Sequence, residues 1–160
     1  MIRSIQDFVA AYTAEREKTV QLLQAVTQAS LSTRVGPEGP HAGLHRLAYR
    51  DPPSRVDEQD RAEARRAGRA EAPDSVEEIR SAYAAASPEL LDTVERSRAD
   101  GELSVTDNMY GEDWPRSQTL LVLLTHEIRH RAQLTVLMRR AGLRIPERMV
   151  RRVRTGRTMA

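Results

Sequence analysis

Cysteine is absent from the 160-residue chain, and lysine occurs once, as Lys18. The first absence excludes disulfides, cysteine-ligated zinc and thiol nucleophiles, and fits a reducing, cytoplasmic setting. The second leaves arginine as the source of nearly all positive charge. Seven arginines fall between Arg46 and Arg69 and six between Arg144 and Arg157, yet the net charge is only +2. Aromatic residues are 4% of the chain and do not alternate with those arginines as a base-stacking platform requires. A solvated surface is the simpler reading, and nucleic acid is not an expected partner. Long hydrophobic runs are missing too. The longest purely apolar one is Leu120 to Leu124, far short of a membrane span. The opening MIRSIQDF reaches Asp7 without an apolar leader core, so no signal peptide is expected. Strand-like alternation is found nowhere along the chain, which leaves helical periodicity as the organising pattern.

Three stretches carry that periodicity. Ser4 to about Ala29 places Ile5, Phe8, Val9, Tyr12, Val20, Leu23 and Val26 near a 3.6-residue repeat, with Ser4 as cap and Glu15 to Lys18 as a polar segment. Helix resumes at Asp74-Ser75-Val76-Glu77-Glu78, a start with capping-box chemistry, and runs to near Ala99. Ser87-Pro88 inside it predicts a kink or a restart. Asp100 to Trp114 reads as a turn-rich loop punctuated by Gly101 and Gly111. The last helix spans roughly Thr119 to Gly142, with Pro115 in its first turn, Gly142 as its C-terminal cap and Pro146 beyond. Between the first two stretches, residues 41–73 do not fit. From Arg50 to Ser75 the only apolar residue larger than alanine is Val56, too little to offset the entropy of ordering. The chain reads as one all-α domain over 1–146, a helical bundle with its second helix degraded or atypical, followed by an arginine-rich loose tail over 147–160.

The last helix carries the chemistry. His126 and His130 are four residues apart, so their rings stack on one face, close enough to share a metal ion. A helical wheel puts Thr119, Val122, Leu123, His126, His130, Gln133 and Leu137 in one core-facing stripe. Leu121, Leu124 and Ile128 lie opposite, as expected of a helix that is central in its bundle or whose second face a partner chain covers, and a homodimer is the expectation. Three readings follow. Two hydrogen-bonded core histidines in a non-catalytic helical dimer is the plainest. His126-Glu127-Ile128-Arg129-His130 also matches H-E-x-x-H, the zinc-peptidase signature with Glu127 as general base. Its extended form wants Gly at 133 and His at 136, where this chain has Gln133 and Val136, and Glu127 lies well round the wheel from the histidines.

The third reading rests on a longer pattern. HEIRHRAQLTVLMRRAGLRIP resembles the last helix of the DinB family of proposed metalloenzymes, whose members read close to H-E-I-H-H-R-G-Q there. The resemblance extends to the first helical pattern, to SVEEIRSAYAAASPELL and to DNMYGEDWPR. Arg129 and Ala132 replace the family's common His and Gly. It implies an up-down-down-up four-helix bundle, often dimeric, with a divalent metal (zinc, nickel or iron) on three histidines. His126 and His130 would be two of them. The third belongs to the second helix in a phrase like L-x-x-L-A-W-H-I, and the nearest position here is Arg50, which cannot ligate a cation. His45, or His41, is the substitute within reach of that segment. Relatives include transferases and isomerases that use a thiol cofactor as well as proteins of unknown activity, so a hydrolase or a thiol-dependent transferase is the implied type, with a small-molecule substrate or a low-molecular-weight thiol as the expected partner. Loss of the third ligand would leave the site impaired. The Arg, Ala, Pro and His bias of 41–73 is also what an out-of-frame reading of GC-rich DNA produces, with the frame restored near Ala72; a diverged loop is the alternative.

Overall fold

The computed structural model describes residues 2–33, 75–109 and 111–146. Expectations for 41–73, for the tail over 147–160 and for His41, His45 and Arg50 fall outside those residues. Three long helices are described: α1 (Ile5–Ala25), α2 (Val76–Ser97) and α3 (Arg116–Arg140). A short antiparallel hairpin, β1 (Thr106–Met109) and β2 (Glu112–Pro115), joins α2 to α3.

Each helix begins and ends for a local reason. Ser4 Oγ accepts from Asp7 N at 3.0 Å, and Asp100 Oδ1 accepts from Ile5 N at 2.7 Å, so two N–H groups of the first turn meet oxygen. Ser75 Oγ accepts from the amides of Glu77 and Glu78. Gly142 adopts φ 72°, and its N–H bonds Arg139 O at 3.0 Å while Leu143 N bonds Met138 O at 2.9 Å. That pair of bonds is a Schellman ending, which the left-handed glycine makes possible. The sequence placed the end of α1 four residues too late. Ser30 Oγ binds both the N–H and the C=O of Thr27, and these local bonds turn Gln28–Ser32 into a 3-10 helix instead.

Two apolar clusters order the helices. One gathers Ile5, Phe8 and Tyr12 of α1, Leu90 and Val94 of α2, and Leu120 of α3. The other gathers Leu22, Leu23 and Val26, then Val76 and Ile79, then Leu134, Leu137 and Met138. Chain order through the clusters makes α1 and α3 parallel and α2 antiparallel to both. α2 runs unbroken through Pro88, so no restart occurs. Its two halves are each anchored in a cluster, which outweighs the loss of one internal hydrogen bond.

The hairpin corrects the expectation of an irregular loop and of no strands. Met109 pairs with Glu112, and Gly111 between them sits at φ 87°. Arg116 at the head of α3 reaches back to Asp107 through Nε at 3.0 Å and Nη2 at 3.3 Å, and to Glu102 at 3.4 Å. The hairpin therefore fixes where α3 starts. Pro115 closes β2 and stands just before the first turn of α3.

Arg80 supplies what α1 lacks, since α1 has no basic residue in its last turn. Its guanidinium donates to Leu23 O at 3.1 Å, Gln24 O at 3.0 Å and Val26 O at 2.9 Å. Carbonyls at a helix end have no intrahelical partner and carry partial negative charge. Arg80→Ala is expected to lower the unfolding free energy by about 1–2 kcal/mol. Arg80→Lys should restore only part of it, because one ammonium does not span three carbonyls. Urea unfolding of the three proteins is the check. Full recovery by lysine would show that charge alone matters there.

Candidate metal centre

Between the two apolar clusters lies a layer of polar side chains. In α1 it comprises Glu15, Arg16 and Thr19, between Tyr12 and Leu22. In α2 it comprises Tyr83 and Ser87, between Ile79 and Leu90. In α3 it comprises Glu127 and Arg131, between Leu120 and Leu134. Their hydrogen bonds cross between helices. Glu127 Oε1 accepts from Tyr83 OH at 2.8 Å and from the Thr19 hydroxyl. Arg131 donates to Glu15 O at 3.1 Å and pairs with the Glu15 carboxylate. Arg16 Nε donates to Ser87 Oγ at 2.6 Å.

Burial pushes the Tyr12 and Tyr83 phenols far above the ordinary tyrosine value, and the charge of Glu127 pushes both further. Both phenols therefore keep their protons at any physiological pH, and Tyr83 is a permanent donor to Glu127. Glu15 behaves in the opposite way. Its burial opposes ionisation, but the hydrogen bond from Lys18 and the charge of Arg131 outweigh it and hold the carboxyl below its usual range.

His126 and His130 lie beside this layer on α3, both half-buried. Their Nε2 atoms are 3.1 Å apart, with ring centroids at 4.4 Å and planes at 67°. The stripe predicted to face the core is only partly buried: Thr119 and Leu137 are, while Val122 is 38% exposed and Gln133 is exposed. The buried side of α3 instead runs through Leu120, Leu134 and Met138, with Glu127 turned to α1 and α2. The helix is rotated so that the histidines flank the core rather than centre on it. Glu127 and Arg131 meet their partners on α1 and α2 on that side.

The pair suits a divalent cation. Two imidazole nitrogens bound to one ion at about 2.0–2.1 Å each lie roughly 3 Å from one another, the separation seen here. Among the described residues no group of three or more His, Asp or Glu gathers at one point. His45, the expected third ligand, is outside them. Sequence reasoning did not find the layer, although it left a signal: Glu15, Arg16 and Thr19 interrupt the apolar pattern of α1 at its middle. It was legible as a polar segment, but its partners on α2 and α3 were not.

Fold and site together define a helical bundle bearing an i, i+4 histidine pair on its last helix. The DinB family model matches residues 1–154, and the chain belongs to that family. It is similar to the uncharacterized protein YrdA of Bacillus subtilis (strain 168), at 28% identity over 152 residues, covering 91% of this chain and 88% of that protein. The crystal structure of a DinB-like protein from Bacillus cereus ATCC 10987 is similar with a TM-score of 0.74. It is 25% identical and covers 91% of this chain and 98% of that one. The helical fold expected from the resemblance is the fold found, with the small hairpin added. Among the described residues no helix is long and apolar enough to cross a membrane.

Proposed function

We propose that this chain is a DinB-type metal-dependent enzyme acting on a small molecule, in which His126 and His130 hold one divalent cation. The observation that carries the reading is the 3.1 Å approach of the two Nε2 atoms on an ordered helix. Zinc, nickel and iron all accept imidazole nitrogen, so the donor set suits each of them. When bound, such an ion supplies Lewis acidity toward a substrate oxygen or a coordinated water or thiol. The protein's own part is to hold two imidazoles in convergence beside a polar, proton-bearing layer. A hydrolase and a transferase using a low-molecular-weight thiol are the two reaction types this arrangement serves. A third ligand from the segment over 41–73, His45 first, would complete the site; without it binding would be weak.

Glu127 is not given the base role of a zinc peptidase. Its carboxylate is engaged by Thr19 and Tyr83, from two other helices. The exposed apolar residues of α3, Leu121, Ile128 and Val136, favour a homodimer over a monomer.

Equilibrium dialysis against zinc, nickel and ferrous ions tests the reading. The expected result is one ion per chain, lost in His126→Ala and in His130→Ala. Unchanged binding in both variants would sink it. A wild-type affinity that falls in His45→Ala as well would place the third ligand.

A further inference from the structure

We infer that Glu127 is a positioning residue: clamped by the Thr19 and Tyr83 hydroxyls, it sets the rotation of α3 and thereby aims His126 and His130. The inference rests on the metal reading for its use, though not for its geometry.

The problem it solves is visible in α3. Apolar residues lie on nearly every side of that helix. Leu120, Leu134, Leu137 and Met138 are buried, while Leu121, Val122, Ile128 and Val136 are more than a third exposed. Apolar burial is non-directional, so it separates neighbouring rotational settings of such a helix only where a polar residue would replace an apolar one, and it does not aim a side chain. Turned by one residue, Leu121 and Met138, or Val136 and Leu137, would keep two of the four buried positions apolar while Thr135 and Arg139, or Thr119 and Gln133, entered the other two, and both imidazoles would swing about 100° round the axis. A hydrogen bond is directional. Glu127 Oε1 takes two at once, from Thr19 on α1 and Tyr83 on α2, so the carboxylate is triangulated by both neighbouring helices. A single buried polar group that fixes register is a known use of such groups in helical assemblies.

The donors are well chosen. Thr19 Oγ1 has one proton, with Glu15 O at 3.4 Å, the Tyr83 oxygen and the very close Glu127 carboxylate all in reach, and the charged acceptor takes it. Tyr83 keeps its proton. Since His126 adjoins Glu127 in the chain and His130 is three residues on, fixing Glu127 fixes both rings. The Arg131–Glu15 pair, one turn further, holds the same setting.

The experiment uses the full chain and reads the rings directly. Long-range ¹H–¹⁵N spectra of metal-free protein report the imidazole signals of His126 and His130, assigned with the two alanine variants. Cobalt(II) titration, followed by visible absorption, reports the site. Glu127→Leu is expected to shift both ring signals and weaken cobalt binding by about 10–100-fold. Glu127→Gln, whose amide oxygen still accepts both hydroxyls, should leave both readouts as in wild type. Thr19→Val and Tyr83→Phe each remove one donor, should show the same direction at smaller size, and carry the test if Glu127→Leu does not fold. If ring signals and cobalt affinity stay at wild-type values in Glu127→Leu while its melting temperature drops, Glu127 is only structural and the inference is overturned. If Glu127→Gln loses cobalt as fully as His126→Ala, Glu127 is a ligand and the inference is again overturned. If no variant and no wild type binds cobalt but the rings still move in Glu127→Leu, the positioning role stands and the metal reading falls.

Discussion

Phe8→Ala is expected to lower the unfolding free energy by about 3–5 kcal/mol. Phe8 is the only phenylalanine of the chain and is fully buried, at 0% exposure. Its ring lies 5.5 Å from that of Tyr12 at a tilt of 33°, and its cluster draws Leu90 and Val94 from α2 and Leu120 from α3. Truncation removes the ring's transfer free energy and leaves a cavity whose walls belong to three separate helices. Those walls cannot close without moving the helices themselves. A domain of this size has only about 5–15 kcal/mol in total, so the variant would be close to its unfolding threshold. Phe8→Leu should cost less than half as much, since it keeps most of the apolar contact. Urea denaturation at neutral pH measures both. A loss below about 1 kcal/mol for alanine would show that the first apolar cluster repacks freely. That result would also remove the rigid floor on which the polar layer rests.

The two apolar clusters were legible in the sequence because each helix repeats its large apolar residues at helical spacing. Ile5, Phe8 and Tyr12 share a face, as do Val76 and Ile79, and these are the residues found buried. Caps were legible for the same kind of reason: Ser4, Ser75 and Gly142 each have one chemistry that suits a helix end. The hairpin was not. TDNM and EDWP contain no alternation of apolar and polar residues, because Met109 is the one side chain of the two strands that is buried, and only Gly111 hinted at a tight connection. The rotation of α3 was not legible either. A wheel weighs apolar residues, and on α3 they point almost everywhere. What decides the setting is a pair of charged side chains, Glu127 and Arg131, whose partners are more than 40 residues away in the chain. Long-range polar pairing leaves no periodic trace. The histidine spacing was visible at once, but its relation to the layer beside it depended on that rotation.

The Glu15–Arg131 pair gives the second large effect. Arg131→Met should destabilise the protein by about 2–3 kcal/mol at neutral pH, less than a fully enclosed pair because both side chains keep some water contact, at 12% and 17% exposure. The methionine keeps much of the stem's packing but leaves a largely buried carboxylate with Lys18 alone, at 2.5 Å. Removing both charges, in Glu15→Gln with Arg131→Met, should be milder than the single change, since no uncompensated charge remains. Acid discriminates the electrostatic from the packing share. Folding holds the Glu15 carboxyl below its ordinary value of 4.5, so the folded chain binds this proton less readily than the unfolded one. The stability it contributes is complete above that value and is lost as pH falls through the lower, folded-state value. Urea unfolding of wild type and Arg131→Met at about pH 7 and about pH 3.5 should therefore show the gap between them narrowing in acid. A gap of the same size at both would assign the loss to the arginine stem packed against α1, and the ion pair would contribute nothing net to stability. The layer would still aim the helix in that case, because direction and net stability are separate properties of a buried polar contact.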